Sequence, residues 1–304
     1  MELVVDQPFD LGASLESGQA HRWKKVDGWY AGVVQGEFIH VRQKGQPGLA
    51  GQVVEFSSAS TKNSNGNSNG NGNGAGESGT AAMLRGYFRL DDDIHAIYAD
   101  INRDERVASM VGKYPGLRIL RTEPWECLVA FICSANNNIA RIHQLMERMS
   151  DEFGDPVSLN GQTRHTFPTP ADLAEAGEGE LRRLGLGFRA PYVDLAARSV
   201  LAGELDLQDL VRMPYRDAKE ALMGMKGIGP KIADCIAVFS LEKLEAFPID
   251  VWIRRALAEW YFPGEKTPSD KVLLEWAQEH FGRYGGYAQQ YLFHGQRLRT
   301  KDSH

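Results

Sequence analysis

The sequence predicts an α+β protein in which an antiparallel β-rich N-terminal domain precedes a larger, mainly α-helical region. Three observations carry this. Short alternating apolar runs punctuated by glycine fill the first 56 or so residues, as in "GWYAGVVQGEFIHVRQKG". An Asn/Gly/Ser tract, "SSASTKNSNGNSNGNGNGAGESGTA", follows at 57–81. After "YFRLDDD" at 87–93 the pattern turns helical and stays so. The expected domains are therefore 1–95 and 96–304. The chain of 304 residues has room for about two domains of about 150 residues.

Taken in order, residues 1–56 suit antiparallel strands joined by tight turns. The tract at 57–81 lacks large apolar side chains to anchor it and is expected to be a disordered surface insertion. Two helix starts are well marked beyond it. Thr169-Pro170-Ala171-Asp172 supplies an N-cap, a proline at the first helical position and an acid in the first turn. Thr267-Pro268-Ser269-Asp270 repeats the arrangement. "GEGELRRLGLGFRAPYV" at 177–193 reads as a helix ended by glycines, then an exposed turn carrying Phe188 and Arg189.

A net charge of −6 does not announce a nucleic-acid binder. Residues 211–304 hold 14 Lys and Arg against 12 Asp and Glu, about +2, leaving the first 210 at about −8. Any DNA-facing surface would have to be a local basic cleft. Cys127, Cys133 and Cys235 are the three cysteines. They lack the spacing of a zinc site or a four-cysteine cluster, so no metal and no cofactor is expected. Their odd number suits a reducing, intracellular compartment. No apolar run approaches a membrane span of about 18 residues.

The stretch "ALMGMKGIGPKIADCIAVFS" at 221–240 carries the chemistry. It is not a nucleotide phosphate loop, which needs Gly-Lys-Ser/Thr after a strand; here Pro230 follows Gly229 and Ile232 follows Lys231. It fits a helix-hairpin-helix near 217–240. There Gly227 and Gly229 let a DNA phosphate approach backbone N–H groups at a helix N-terminus. A plain helix–helix turn is the alternative. Asp250, after Pro248-Ile249, would be a good N-cap of the next helix whatever else it does.

"MKGIGPKIADCIAVFSLEKLEAFPIDV" resembles the helix-hairpin-helix/Gly-Pro-Asp superfamily of base-excision glycosylases. "SGQAHRW", "YFRLDDD", "FICSANNNIARI", "LGLGFRAPYV" and "GGYAQQYLF", in that order, resemble the 8-oxoguanine DNA glycosylase family within it. The likeness spans nearly the whole chain except the Asn/Gly tract. It implies double-stranded DNA containing 8-oxoguanine as substrate, bound by a monomer. The compartment would be the nucleus in a eukaryote and the cytoplasm or nucleoid in a prokaryote.

The resemblance also implies the site. Lys231 is the nucleophile at C1′ and forms a Schiff base that supports strand cleavage; Lys226, before the turn, is the weaker candidate. Asp250 stabilises charge at C1′ or assists proton movement, and as a capping carboxylate it is expected to be held low in pKa and anionic, which suits the first role better. Gln289 reads the edge of the flipped base, Phe293 and Cys235 cover its two faces, and the Gly18 carbonyl accepts from the lesion's N7–H. Asn136 fills the gap in the duplex. Arg141 and Arg189 contact the orphaned cytosine, which implies a preference for cytosine opposite, and Phe188 is a wedge. Taken alone, each of these would read as an ordinary core or solvated side chain. Trp252 departs from the family, which has a phosphate-contacting histidine there. Ala20 and His21 alter the wall beside Gly18.

Two other functions compete. Alkyl-base glycosylases of the superfamily lack a lysine at the position of Lys231. A silent DNA-binding hairpin protein needs neither Lys231 nor Asp250.

Overall fold

A computed structural model describes residues 1–60, 79–264 and 266–301. Five strands, β1 (Glu2–Val5), β2 (Lys24–Val26), β3 (Trp29–Val34), β4 (Glu37–Lys44) and β5 (Gln52–Ser60), form one antiparallel sheet in the order β1-β5-β4-β3-β2. Tyr30 pairs with Val41 and Val41 with Phe56, so apolar residues of three adjacent strands share one face. That face packs on the helix Gly79–Tyr87 and on Leu120, giving a core that includes Phe9, Leu84 and Phe88. A second, larger core begins at Ile94 and runs through the helices that follow.

The fold class is as the sequence predicts, with four local corrections. A short helix, Leu11–Glu16, interrupts the β segment, because the Asp10 carboxylate accepts from Ala13 N at 2.8 Å and starts it. The expected disordered stretch 57–81 is ordered at both ends. Ladder bonds to β4, not apolar side chains, carry β5 to Ser60 opposite Glu37, and Thr80 donates to Glu37 from the helix beyond. The remainder, 61–78, lies outside the described residues.

The helical region also contains a β-hairpin, Pro156–Leu159 with Gln162–His165, turned by Asn160 and Gly161, both at positive φ. Finally, Thr169 caps its helix as expected, in a capping box with Asp172. By contrast, Ser269 rather than Thr267 caps Asp270–Phe281. The Arg254 guanidinium takes the Pro268 carbonyl at 3.2 Å and holds that residue outside the helix.

Three helices place the site. Pro230–Ser240 is almost wholly buried at the centre of the larger core. Phe131, on the helix Pro124–Cys133, stacks on its Phe239 with centroids 5.5 Å apart. The helix Gly285–Lys301 starts against it: a Cβ on Gly286 would stand 2.3 Å from Val238 Cγ2 and 3.0 Å from Leu244 O, so only glycine fits there. Gln289 and Phe293 are thereby brought over Lys231 and Cys235.

Candidate active site

The helix Tyr215–Met223, the turn 224–229 and the helix Pro230–Ser240 form the expected hairpin. Gly227 takes φ +96°, and Gly229 is the N-cap residue, with no side chain to occupy the helix's free N–H groups. A buried network locks the two helices together. Asp234, 2 % exposed, accepts from Tyr215 Oη at 2.5 Å and from Lys219 Nζ at 2.8 Å.

Lys231 sits one residue into the second helix. Its Nζ lies 3.3 Å from Ser134 Oγ and 5.5 Å from the centre of the Phe131 ring. It opens on a cleft of about 1150 Å³ that Gly18, Cys235, Asp250, Gln289 and Phe293 also line. Six of the anticipated residues are therefore gathered in one space. The cleft wall carries Lys25, Lys231 and Arg297 against Asp10, Glu16 and Asp250. It is thus not the locally basic surface that the charge distribution called for; Arg141, Arg189 and Lys226 lie outside it.

Asp250 caps the helix Val251–Tyr261, its Oδ1 accepting from Ile253 N at 2.8 Å. The expectation of a depressed pKa is corrected. Burial raises the carboxyl above its ordinary value, outweighing the capping bond to Ile253 N and the attraction of Lys231. A carboxylate so placed is a better proton acceptor than an ordinary cap. Burial likewise pushes the Cys235 thiol up to about 11, so it serves as a neutral packing group.

Two features mark the wall around Gln289. Gln289 is 5 % exposed and its Oε1 has no hydrogen-bond partner among the described residues. Gly18 holds φ +86°, and a Cβ there would stand 2.9 Å from Ile139 Cδ1 and 3.2 Å from Phe293 Cε1. Two residues that the sequence did not reveal pin this loop. Gln19 Nε2 donates to Arg118 O at 2.7 Å while its Oε1 accepts from Leu120 N at 2.9 Å. Gln290 Nε2 donates to Ser17 O at 3.1 Å. Glutamines carry no pattern that betrays such a role. Trp252 lines the cleft and lies 5.9 Å from the Arg255 guanidinium.

The other four anticipated residues form a second group beside the cleft. Asn136 is exposed at φ +48° between the helix Pro124–Cys133 and the Asn138-capped helix Ile139–Phe153. Arg189 Nη2 donates to its carbonyl at 2.9 Å, and Arg189 Nε donates to Ala135 O at 2.9 Å. Phe188 is 49 % exposed, with the Arg189 guanidinium 4.3 Å from its ring centre. Arg141 Nη2 donates to Gly185 O at 3.2 Å, so the glycine turn and the asparagine loop are joined twice.

A lysine set just past a glycine hairpin, sharing a cleft with a half-buried capping aspartate, is the signature of helix-hairpin-helix/Gly-Pro-Asp base-excision DNA repair proteins. Residues 129–279 match the model of that superfamily. Residues 3–128 match the N-terminal domain of 8-oxoguanine DNA glycosylase, and the chain belongs to that family. It is a DNA glycosylase with abasic-site lyase activity.

Its relatives agree. A probable N-glycosylase/DNA lyase of Methanothermobacter thermautotrophicus is 35 % identical over 226 residues, 68 % of this chain and 71 % of that one. The N-glycosylase/DNA lyase OGG1 of Arabidopsis thaliana is 29 % identical over 297 residues, 93 % of this chain and 76 % of that one. The 8-oxoguanine glycosylase/lyase of Clostridium acetobutylicum, solved with double-stranded DNA containing cytosine opposite 8-oxoguanine, superposes with a TM-score of 0.84 at 30 % identity. The match covers 96 % of this chain and 93 % of that one.

Proposed function

We propose that this enzyme, acting as a monomer, excises 8-oxoguanine from duplex DNA, preferring cytosine opposite, through a Schiff base on Lys231. The observation that carries the reading is Lys231 in one cleft with Asp250 and the unpartnered Oε1 of Gln289.

The neutral amine of Lys231 bonds to C1′ as the C1′–N9 bond breaks, and the base leaves with the electron pair. Asp250 stabilises positive charge at C1′ and takes the excess proton from the new ammonium. That proton is passed to O4′ as the sugar ring opens to the iminium. Loss of a C2′ proton then expels the 3′ phosphate. Gln289 hydrogen-bonds the base edge, Phe293 and Cys235 flank it, and the Gly18 carbonyl accepts N7–H, which guanine lacks. Arg141 and Arg189 offer donors to the acceptors of the orphaned cytosine. Asn136 and Phe188 hold the opened duplex, and Gly227 and Gly229 present N–H groups to a phosphate.

Borohydride trapping on duplexes bearing 8-oxoguanine opposite each of the four bases tests this. A covalent adduct is expected, strongest opposite cytosine and absent in Lys231→Gln, which still binds the lesion. Base release without an adduct would replace the amine by water as nucleophile. Neither adduct nor release would remove 8-oxoguanine as the substrate.

A further inference from the structure

His21 belongs to two spaces. It lines the active-site cleft, and it also lines a small, partly open chamber of about 30 Å³ shared with Arg22, Thr122 and Glu126. The chamber is polar and unsatisfied. Both ring nitrogens of His21, Nη1 of Arg22 and Oγ1 of Thr122 have no hydrogen-bond partner among the described residues. His21 is 7 % exposed and Arg22 3 %. Each such atom left unpaired would cost about 1–3 kcal/mol. A water needs about 10–15 Å³ and two to four polar partners, so the chamber suits one or two. The gap between Arg22 Nη1 and Glu126 Oε2, 3.8 Å, is too long for a direct hydrogen bond.

We propose that His21, with water in this chamber, carries a proton between the Glu126 carboxyl and the base leaving C1′. The inference rests on the glycosylase reading above. As the C1′–N9 bond breaks, the departing base takes a proton from one nitrogen of His21. The other nitrogen takes one from the chamber water, and the water takes one from Glu126. Glu126 is left a carboxylate beside Arg22, and the imidazole is neutral before and after. When water hydrolyses the Schiff base, freeing Lys231, one proton is released; it returns along the same path and restores both Glu126 and the His21 tautomer.

The surroundings suit each group to its part. Burial, with His143 and Lys231 nearby, lowers the His21 pKa to about 4, so the ring stays neutral and works by exchanging tautomers. Burial raises Glu126 to about 7, with Arg22 opposing and Glu123 and Glu147 adding to the rise. The other charged groups there are committed. Arg121 pairs with Asp91, Asp92 and Glu242, and Arg164 with Glu147. Tyr87 Oη accepts from Trp23 Nε1 at 2.8 Å.

The test is single-turnover kinetics between pH 5.5 and 9 on two substrates (conditions spanning about 1.5 units below and 2 above the Glu126 value). One is a duplex containing 8-oxoguanine; the other carries a preformed abasic site, where no base remains to be protonated. Wild-type base release is expected to fall as pH rises through the titration of Glu126. His21→Phe and Glu126→Gln should release base more slowly, by about 100-fold at the low-pH plateau, and lose that limb. Their cleavage of abasic DNA should match wild type. His21→Gln, which keeps polar atoms but cannot exchange protons between two nitrogens, should behave like His21→Phe. Wild-type base release by both His21 variants, or parallel loss of both reactions, would overturn the relay. Failure of the wild type to release 8-oxoguanine would overturn the substrate reading and the relay with it.

Discussion

On the proposed reading two demands meet on the Asp250 side chain, capping a helix and handling charge at C1′. Asparagine caps as well as aspartate does, so Asp250→Asn separates them. Base excision should fall about 100-fold or more, with the helix intact by circular dichroism. Stability should move the other way. A carboxyl whose folded pKa exceeds its unfolded value of 3.8 binds more protons when folded. Its stabilising effect is full below that unfolded value and is lost as pH rises through the folded one. The variant should therefore gain on the wild type as pH rises from about the unfolded value through the folded one in urea melts; a constant difference would contradict the raised pKa. Gly18→Ala is the companion case. A Cβ 2.9 Å from Ile139 Cδ1, at φ +86°, should cost about 1–3 kcal/mol. On the proposed reading it also weakens preference for the lesion over guanine, measurable as the ratio of excision rates.

Among the elements, the hairpin is the one whose rigidity is built in visibly. Tyr215, Lys219 and Asp234 bridge its two helices inside the core. Asp234→Ala leaves a largely buried ammonium without its partner and should destabilise by about 3–5 kcal/mol; a midpoint in denaturant within about 0.5 kcal/mol of wild type would refute the clamp. Elements were also where sequence reading was least even. Proline at the first helical position marked Pro170 correctly, because proline has no N–H to lose there. It failed at Pro268, whose carbonyl is claimed by Arg254 from another helix. The 156–165 hairpin escaped because Gln-Thr-Arg-His offers no apolar alternation, although Asn160-Gly161 is itself a strong turn signal.

For the molecule as a whole, the order β then α was legible from composition and periodicity, since a sheet with one apolar face and amphipathic helices leave different patterns. The glycine turn before Lys231 and the Asp250 cap were legible because both are local grammar; the roles proposed for the two side chains come from the family resemblance alone. The partners of the Gly18 loop were not, because they are 99 and 273 residues away from what they bind. Nor was the burial that sets Asp250 and His21, which exists only once the two cores meet. Those cores are joined by ions as well as by packing. Arg89, 1 % exposed, makes a two-pronged pair with Glu242 at 2.8 and 2.9 Å, and Arg121 joins Glu242 at 3.1 Å. Glu242→Ala should cost about 3 kcal/mol and lower the thermal midpoint without changing the excision rate at 25 °C. A slowed chemical step in the still-folded variant would show that this joint also tunes the cleft.

The Gln19 side chain has a wider consequence. One amide group ties the residue after Gly18 to two alternate positions, Arg118 and Leu120, on the strap between helices, while Gln290 holds Ser17 from the other side of Gly18. On the proposed reading, the cutting tool and the gauge that sets it are thus made by different halves of the chain. A helical half expressed alone would carry the blade, Lys231 and Asp250, without the stop against which that reading has a damaged base measured. Discernment would then be a property of assembly, written in neither half by itself.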